Sequence, residues 1–204
     1  CEQGSSPSDN MFSSTLIVLQ VLLLVMSMLD NTEAAESPHF LLKGQCPEVT
    51  LAEGFDAQKF GGLWYRIGGL PNVEERSVNC TVYNYVDTGS GYQVNSTGIG
   101  RDGAAVNQSI NLTVTTPGTA KFSTRVRTFD AEMMVLNTDY TTYCCLFTCY
   151  NFQGTHKAIF AWILSRTSSL DKQKIASCQK ELERVGVPLD RLRGTYQGQQ
   201  CNHQ

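Results

Sequence analysis

The stretch that decides the fold is Phe55-Asp56-Ala57-Gln58-Lys59-Phe60-Gly61-Gly62-Leu63-Trp64-Tyr65. A polar turn region and two glycines deliver the chain into Leu-Trp-Tyr, a combination that reads as a tight turn opening a strand. Outward from it, the chain breaks into short segments of strand character. They are Leu63–Gly69, Cys80–Val86, Tyr92–Gly98, Val106–Thr115, Ala120–Arg127, Met133–Asn137, Tyr143–Tyr150 and Lys157–Arg166. Gly89-Ser90-Gly91, Arg101-Asp102-Gly103 and Thr116-Pro117-Gly118 part them as turns. Strands at this near-regular spacing predict an antiparallel barrel or sandwich. The gaps are too short for the crossover helices of a parallel sheet. A single helix follows the strands. Ser168-Ser169-Leu170-Asp171 supplies its cap and first-turn acid, Ile175, Cys178, Leu182 and Val185 recur at helical spacing, and Gly186 with Pro188 ends it. Its one apolar stripe must pack on the outside of the sheet.

The N-terminal region has a different character. Thr15–Leu29 is almost wholly apolar, shorter than the roughly 20 residues a membrane-spanning helix needs, and small residues follow it. This predicts a secretory signal over residues 11–35, cleaved near Ala34 or Ala35, in preference to a retained signal anchor. No Lys or Arg precedes the apolar run, which is atypical. With Met11 as the start, residues 1–10 (CEQGSSPSDN) are expected to be an upstream translation artefact. Residues 36–45 form a short N-terminal segment and 46–204 a single domain.

Of the 19 acids, Glu2, Asp9, Asp30 and Glu33 lie in the leader, so the mature chain sets 15 acids against 16 bases. Near-neutrality without a basic stripe argues against nucleic acid and against a polybasic membrane patch. Behind a signal peptide, Cys46, Cys80, Cys144, Cys145, Cys149, Cys178 and Cys201 read as disulfide cysteines of an oxidising compartment. No metal site is expected, because His39, His156 and His203 are scattered and Cys145/Cys149 lack a second ligand pair. Sequons at Asn79, Asn95, Asn107 and Asn111 fit passage through a secretory pathway, Asn79 least because Cys80 lies inside it.

Three blocks in order carry a family resemblance: Gly62-Leu63-Trp64-Tyr65, Thr138-Asp139-Tyr140, and Ser165-Arg166. They resemble the lipocalin motifs of the first strand, the turn between the sixth and seventh strands, and the end of the eighth. Within that family, Thr138–Cys149 and Ser96-Thr97-Gly98-Ile99 are most similar to the arthropod carotenoid- and bilin-binding branch, crustacyanin-like first and apolipoprotein D-like next. The resemblance covers about residues 46–201. It implies an eight-stranded up-and-down barrel with one helix outside and a secreted carrier of a small hydrophobic ligand. It further implies that Gly62, Trp64, Thr138, Asp139, Tyr140 and Arg166 form the closed end, with Arg166 stacked over Trp64. The implied bridges are Cys46–Cys149, Cys80–Cys201 and Cys145–Cys178. Strand alternation agrees, putting Cys145 and Cys149 on one face with the helix stripe that holds Cys178.

Counting by twos from those positions, and assuming no bulge, turns Thr81, Tyr83, Tyr85, Cys144, Leu146, Thr148, Phe160, Trp162 and Leu164 inward. Ser96 and Gly98 face inward by likeness to the crustacyanin third strand. This apolar, aromatic lining with a few hydroxyls suits a carotenoid, retinoid, bilin or fatty lipid. The stretch Lys121–Arg125 lacks the histidine of carotenoid-binding relatives; Lys121 and Arg125 read first as solvated rim charges and, alternatively, as mouth groups that would favour a carboxylate such as a fatty acid. Cys144 has two readings: a small apolar filler, or a cavity thiol as in the isomerase branch of the family. No cofactor is expected. A homo- or hetero-oligomer remains open, and a subunit acting through protein assembly is the further alternative.

Overall fold

A computed structural model describes residues 41–126 and 129–201. The expected artefact and signal segments lie outside the described residues. Strand β1 is Leu41–Lys43 and helix α1 Ala57–Phe60; the strands β2 Gly62–Gly69, β3 Ser77–Asp87, β4 Gly91–Gly100, β5 Ala105–Val114, β6 Lys121–Val126, β7 Phe129–Thr138, β8 Tyr143–Phe152 and β9 His156–Ser165 follow. Helix α2, Lys172–Arg184, a 3-10 turn at Leu189–Arg191 and a two-residue strand β10, Arg193–Gly194, complete the chain. Strands β2 to β9 pair antiparallel in sequence order, and β9 pairs back onto β2. The result is a closed eight-stranded up-and-down barrel. Strands β1 and β10 extend the sheet on β9 and β2.

Closure gives the barrel two cores. Inside, Phe55, Phe60, Trp64, Tyr85, Tyr92, Phe122, Cys144 and Leu164 belong to one cluster. Outside, Cys145, Phe147, Ile159, Ala161 and Ile163 of β8 and β9 pack with Cys178 and Leu182 of α2. The two clusters take alternate residues of the same strands, as a pleat requires. The narrow apolar stripe of α2 therefore covers the β8–β9 wall. Its N-cap is Asp171, whose carboxylate accepts from the Gln173 N–H at 2.7 Å.

Three bridges, Cys46–Cys149, Cys80–Cys201 and Cys145–Cys178, join the pairs that the resemblance implies. The first ties the segment after β1 to β8, the second ties the C-terminal tail to β3, and the third pins α2 to the wall.

Sequence reading missed three elements. β1 lies in the segment expected merely to precede the domain, α1 is a single turn, and β10 is two residues long. Each is too short to show a period. The no-bulge assumption also fails: pairing slips between Arg66 and Gly68, between Ser77 and Val82, and between Val135 and Asn137. The middle slip contains Cys80 at φ 54°. Tyr83 and Tyr85 lie beyond it and keep their inward faces.

Candidate ligand cavity

The closed end is built on the decisive stretch. Asp56 caps α1, accepting from the Gln58 and Lys59 N–H groups at 3.0 and 3.2 Å. Gly62 takes φ 87°, a backbone region that disfavours a β-carbon, and so turns the chain from α1 into β2. Trp64 is then fully buried, with its indole N–H on the Phe60 carbonyl at 2.9 Å. The Arg166 guanidinium lies 3.7 Å from the Trp64 ring centroid, a cation–π contact. It donates to the carbonyls of Tyr140 at 2.8 Å, Leu63 at 2.8 Å and Lys59 at 3.0 Å. One side chain thus ties together α1, β2 and the β7–β8 turn.

That turn is organised by Asp139, which accepts from the Thr142 and Tyr143 N–H groups at 2.8 and 3.1 Å, from the Thr142 hydroxyl, and from Lys174 Nζ at 3.1 Å. Burial opposes its ionisation, but the Thr142 hydroxyl and the turn N–H groups outweigh it and hold the carboxyl well below the usual carboxylate range.

Above this floor the barrel is hollow. Phe55, Phe60, Tyr85, Tyr92 and Phe122 fill the lower part in edge-to-face and tilted contacts, with neighbouring centroids 5.1–5.7 Å apart. A cavity of about 490 Å³ lies above them. Of the expected ligand-facing residues, Tyr83, Tyr85, Ser96, Leu146, Thr148, Phe160 and Trp162 line it. Asn72, Val73, Glu74, Glu75, Val94, Gln108, Ile110, Ala131, Met133 and Tyr150 complete the wall.

Three expected lining residues do not reach it. Cys144 and Leu164 face inward but pair with each other one step nearer the closed end, in the layer beneath the cavity. Cys144 is wholly buried there, and burial pushes its thiol well above its ordinary value, away from a thiolate. Gly98 is a packing position. A β-carbon on it would stand 2.8 Å from Ser77 Cβ and 2.9 Å from the Asn79 carbonyl, where the bulged start of β3 crosses. Thr81, expected inward, is buried at that crossing with its hydroxyl on Ser77 at 3.1 Å. Lys121 and Arg125 are not cavity anchors either: Lys121 pairs with Glu132 at 2.7 Å and Arg125 grips Asp130 at 2.9 and 3.0 Å.

The polar group that does border the cavity escaped the sequence reading. Glu75, on the β2–β3 loop, accepts at Oε1 from the Trp162 indole N–H at 2.7 Å and from the Tyr83 hydroxyl. Its Oε2 lies 3.4 Å from Nε of Arg66, a buried residue that also donates to the Leu70 carbonyl at 3.1 Å and to the Thr195 hydroxyl. Burial, with the Glu75 carboxylate beside it, pushes the Tyr83 hydroxyl well above its ordinary value. Arg66 had a signal: it stands two residues after Trp64 and so shares its inward face. Glu75 had none, since Glu74-Glu75-Arg76 reads as a solvated loop.

Of the sequon asparagines, Asn79, Asn107 and Asn111 are exposed and Asn95 is half-buried. Asn95, Asn107 and Asn111 share one outer wall, because Asn95 pairs with Ser109, midway between the other two.

A closed antiparallel barrel, an external helix on its wall, an arginine-capped tryptophan at one end and an apolar hollow at the other define a class. The chain belongs to the lipocalin family: the model of the Lipocalin / cytosolic fatty-acid binding protein family matches residues 62–199. Proteins of this family bind small hydrophobic ligands. Among particular relatives, the Crustacyanin-A1 subunit of Homarus gammarus is 26% identical over 170 residues, covering 80% of this chain and 94% of that protein. Apolipoprotein D of Macaca fascicularis is 28% identical over 187 residues, covering 88% and 96%. The solved structure of lobster apocrustacyanin A1 superposes with a TM-score of 0.74 at 25% identity over 82% of this chain and 96% of its own. H1 crustacyanin from Homarus americanus gives 0.73 at 28%, again over 82% and 96%.

Proposed function

We propose that this chain is a secreted carrier that takes up a small hydrophobic molecule reversibly in the hollow half of its barrel. The candidate cargo classes are carotenoid or other pigment, retinoid, bilin and lipid. The observation that carries the reading is the hollow itself. At about 490 Å³ it falls within the size range of small-molecule sites, and aromatic and aliphatic side chains line most of it. Affinity then comes mainly from burying apolar ligand surface, at roughly 25 cal/mol per Å² before ordering costs. Secretion is supported by the apolar segment Thr15–Leu29 and by six cysteines joined in bridges, which persist in oxidising compartments. The sequons at Asn107 and Asn111 stand outward, where an attached glycan would leave the hollow untouched.

A lipocalin-type isomerase built on Cys144 is the weaker reading, since that thiol is sealed beneath the cavity and held in its protonated form. Assembly with a second copy or another subunit is compatible with the carrier and needs no further residue of the hollow.

The test uses protein secreted from animal cells, incubated with a mixed lipid and pigment extract, re-purified and extracted with organic solvent. Mass and absorbance spectra are expected to show one hydrophobic compound at near one per chain. Retention of the protein inside the cells, or a re-purified barrel with nothing bound, would overturn the proposal.

A further inference from the structure

The polar pole of the cavity fixes which end group a ligand can carry. This inference rests on the carrier reading above. Glu75 borders the hollow with its side chain 16% exposed, and Oε1 already accepts two hydrogen bonds, from Tyr83 and Trp162. A carboxylate oxygen has about two acceptor positions, so Oε1 is filled. Oε2 is not. Its partner is Arg66, whose Nε stands 3.4 Å away and forms no hydrogen bond among the described residues. The contact is charge against charge, and among the described residues it leaves the acceptor positions of Oε2 without a hydrogen bond.

The sign of the lining points the same way. Two acids, Glu74 and Glu75, border the cavity, and no Lys, Arg or His does so among the described residues. The Tyr83 hydroxyl and the Trp162 N–H, two of the donors on the wall, are turned onto Glu75. The side chains of Ser96 and Gln108 are turned onto backbone carbonyls, those of Gln108 and Glu74 respectively. A ligand carboxylate entering here would lose its water, find these donors committed and meet a fixed carboxylate. A ligand alcohol or amine would find a charged acceptor in a dry setting, where such hydrogen bonds are strong.

We propose that Glu75 Oε2 anchors the ligand, and that the cavity takes apolar molecules ending in a hydrogen-bond donor, an alcohol or an amine, in preference to fatty acids. The ion pair with Arg66 holds the carboxylate in place without consuming the acceptor that the ligand uses. Lys121 and Arg125, the alternative carboxylate anchors, are instead paired with Glu132 and Asp130 and do not line the cavity.

The experiment titrates the full secreted protein with three probes of one chain length: 1-dodecanol, dodecanoate and methyl dodecanoate. Calorimetry is the readout, because Trp162 fluorescence would itself change when Glu75 is altered. In wild type the alcohol is expected to bind about tenfold or more tighter than either of the others, the scale of one hydrogen bond to a charged group. In Glu75→Gln the alcohol–carboxylate gap is expected to close to about threefold or less, a change that a purely structural ion pair would not produce. If Glu75→Gln does not fold, Glu75→Asp, which keeps the charge but withdraws it, is expected to weaken the alcohol and leave the ester unchanged. Dodecanoate binding as tightly as dodecanol in wild type overturns this inference alone. Failure of all three probes to bind overturns the carrier reading, and this inference with it.

Discussion

The two halves of the barrel interior are made of the same residue types and do opposite things. Toward the closed end, Trp64, Phe60, Phe122, Cys144 and Leu164 are buried to about 1% exposure or less, and Arg166 seals them. Toward the mouth, Phe160, Trp162, Tyr83 and Met133 keep 7–9% exposed around a void. An aromatic or aliphatic side chain facing inward therefore does not define a binding site. Depth along the strand does: Leu146 lines the cavity, and Cys144, two residues earlier on β8, does not.

The comparison predicts that damage to the floor is read in stability and damage to the hollow in ligand. The largest effect is expected from Trp64→Ala, which removes a fully buried ring and the partner of Arg166. A loss of about 3–5 kcal/mol in denaturant unfolding is the scale for such a truncation. Replacing Cys145 and Cys178 together by Ala comes next. Their bridge spans 33 residues of sequence, and its removal is expected to cost about 4 kcal/mol by chain entropy while ligand affinity stays within a factor of about two.

Asp139→Asn is expected to cost about 1–2 kcal/mol at neutral pH, since an amide keeps some of the turn's hydrogen bonds and loses the charge. The pH dependence has a definite sign. The folded-state pKa is depressed, so the contribution is complete above the unfolded value of about 4 and fades as pH falls below it. Wild type and Asp139→Asn should therefore converge in stability in acid. Parallel curves down to pH 2 would show that the carboxylate adds nothing. The smallest stability effect is expected from Ala131→Phe, which grows a ring into empty space. A change within about 1 kcal/mol, together with loss of ligand binding, would separate the two halves cleanly.

The strand count and the external helix were legible because each rests on a local signal, whereas closure came only with the family resemblance, since strand spacing alone fits barrel and sandwich equally. Turn glycines part the strands, alternation sorts Cys144 from Cys145, and a helical stripe carries Cys178. The closed end was legible through three short motifs. The hollow was legible only in part. Tyr83, Trp162 and Thr148 follow from counting by twos, but that count cannot say where the side chains stop meeting across the barrel. Gly98, placed inward by likeness to the crustacyanin third strand, serves the bulged crossing of β3 and not the lining. Glu75 was invisible, since a loop carboxylate reads as solvated until the fold lays it against Tyr83, Trp162 and Arg66.

The two tryptophans allow the most direct test, one in each half. In Trp64→Phe only Trp162 on the cavity wall emits; in Trp162→Phe only Trp64 under Arg166 emits. Each variant would be titrated with a long-chain alcohol and a fatty acid, neither of which absorbs where tryptophan emits. A saturable change in emission is expected from Trp162 with at least one of them, and none from Trp64. A silent Trp162, or a response confined to Trp64, would contradict the claim that the hollow half of the barrel is the binding site.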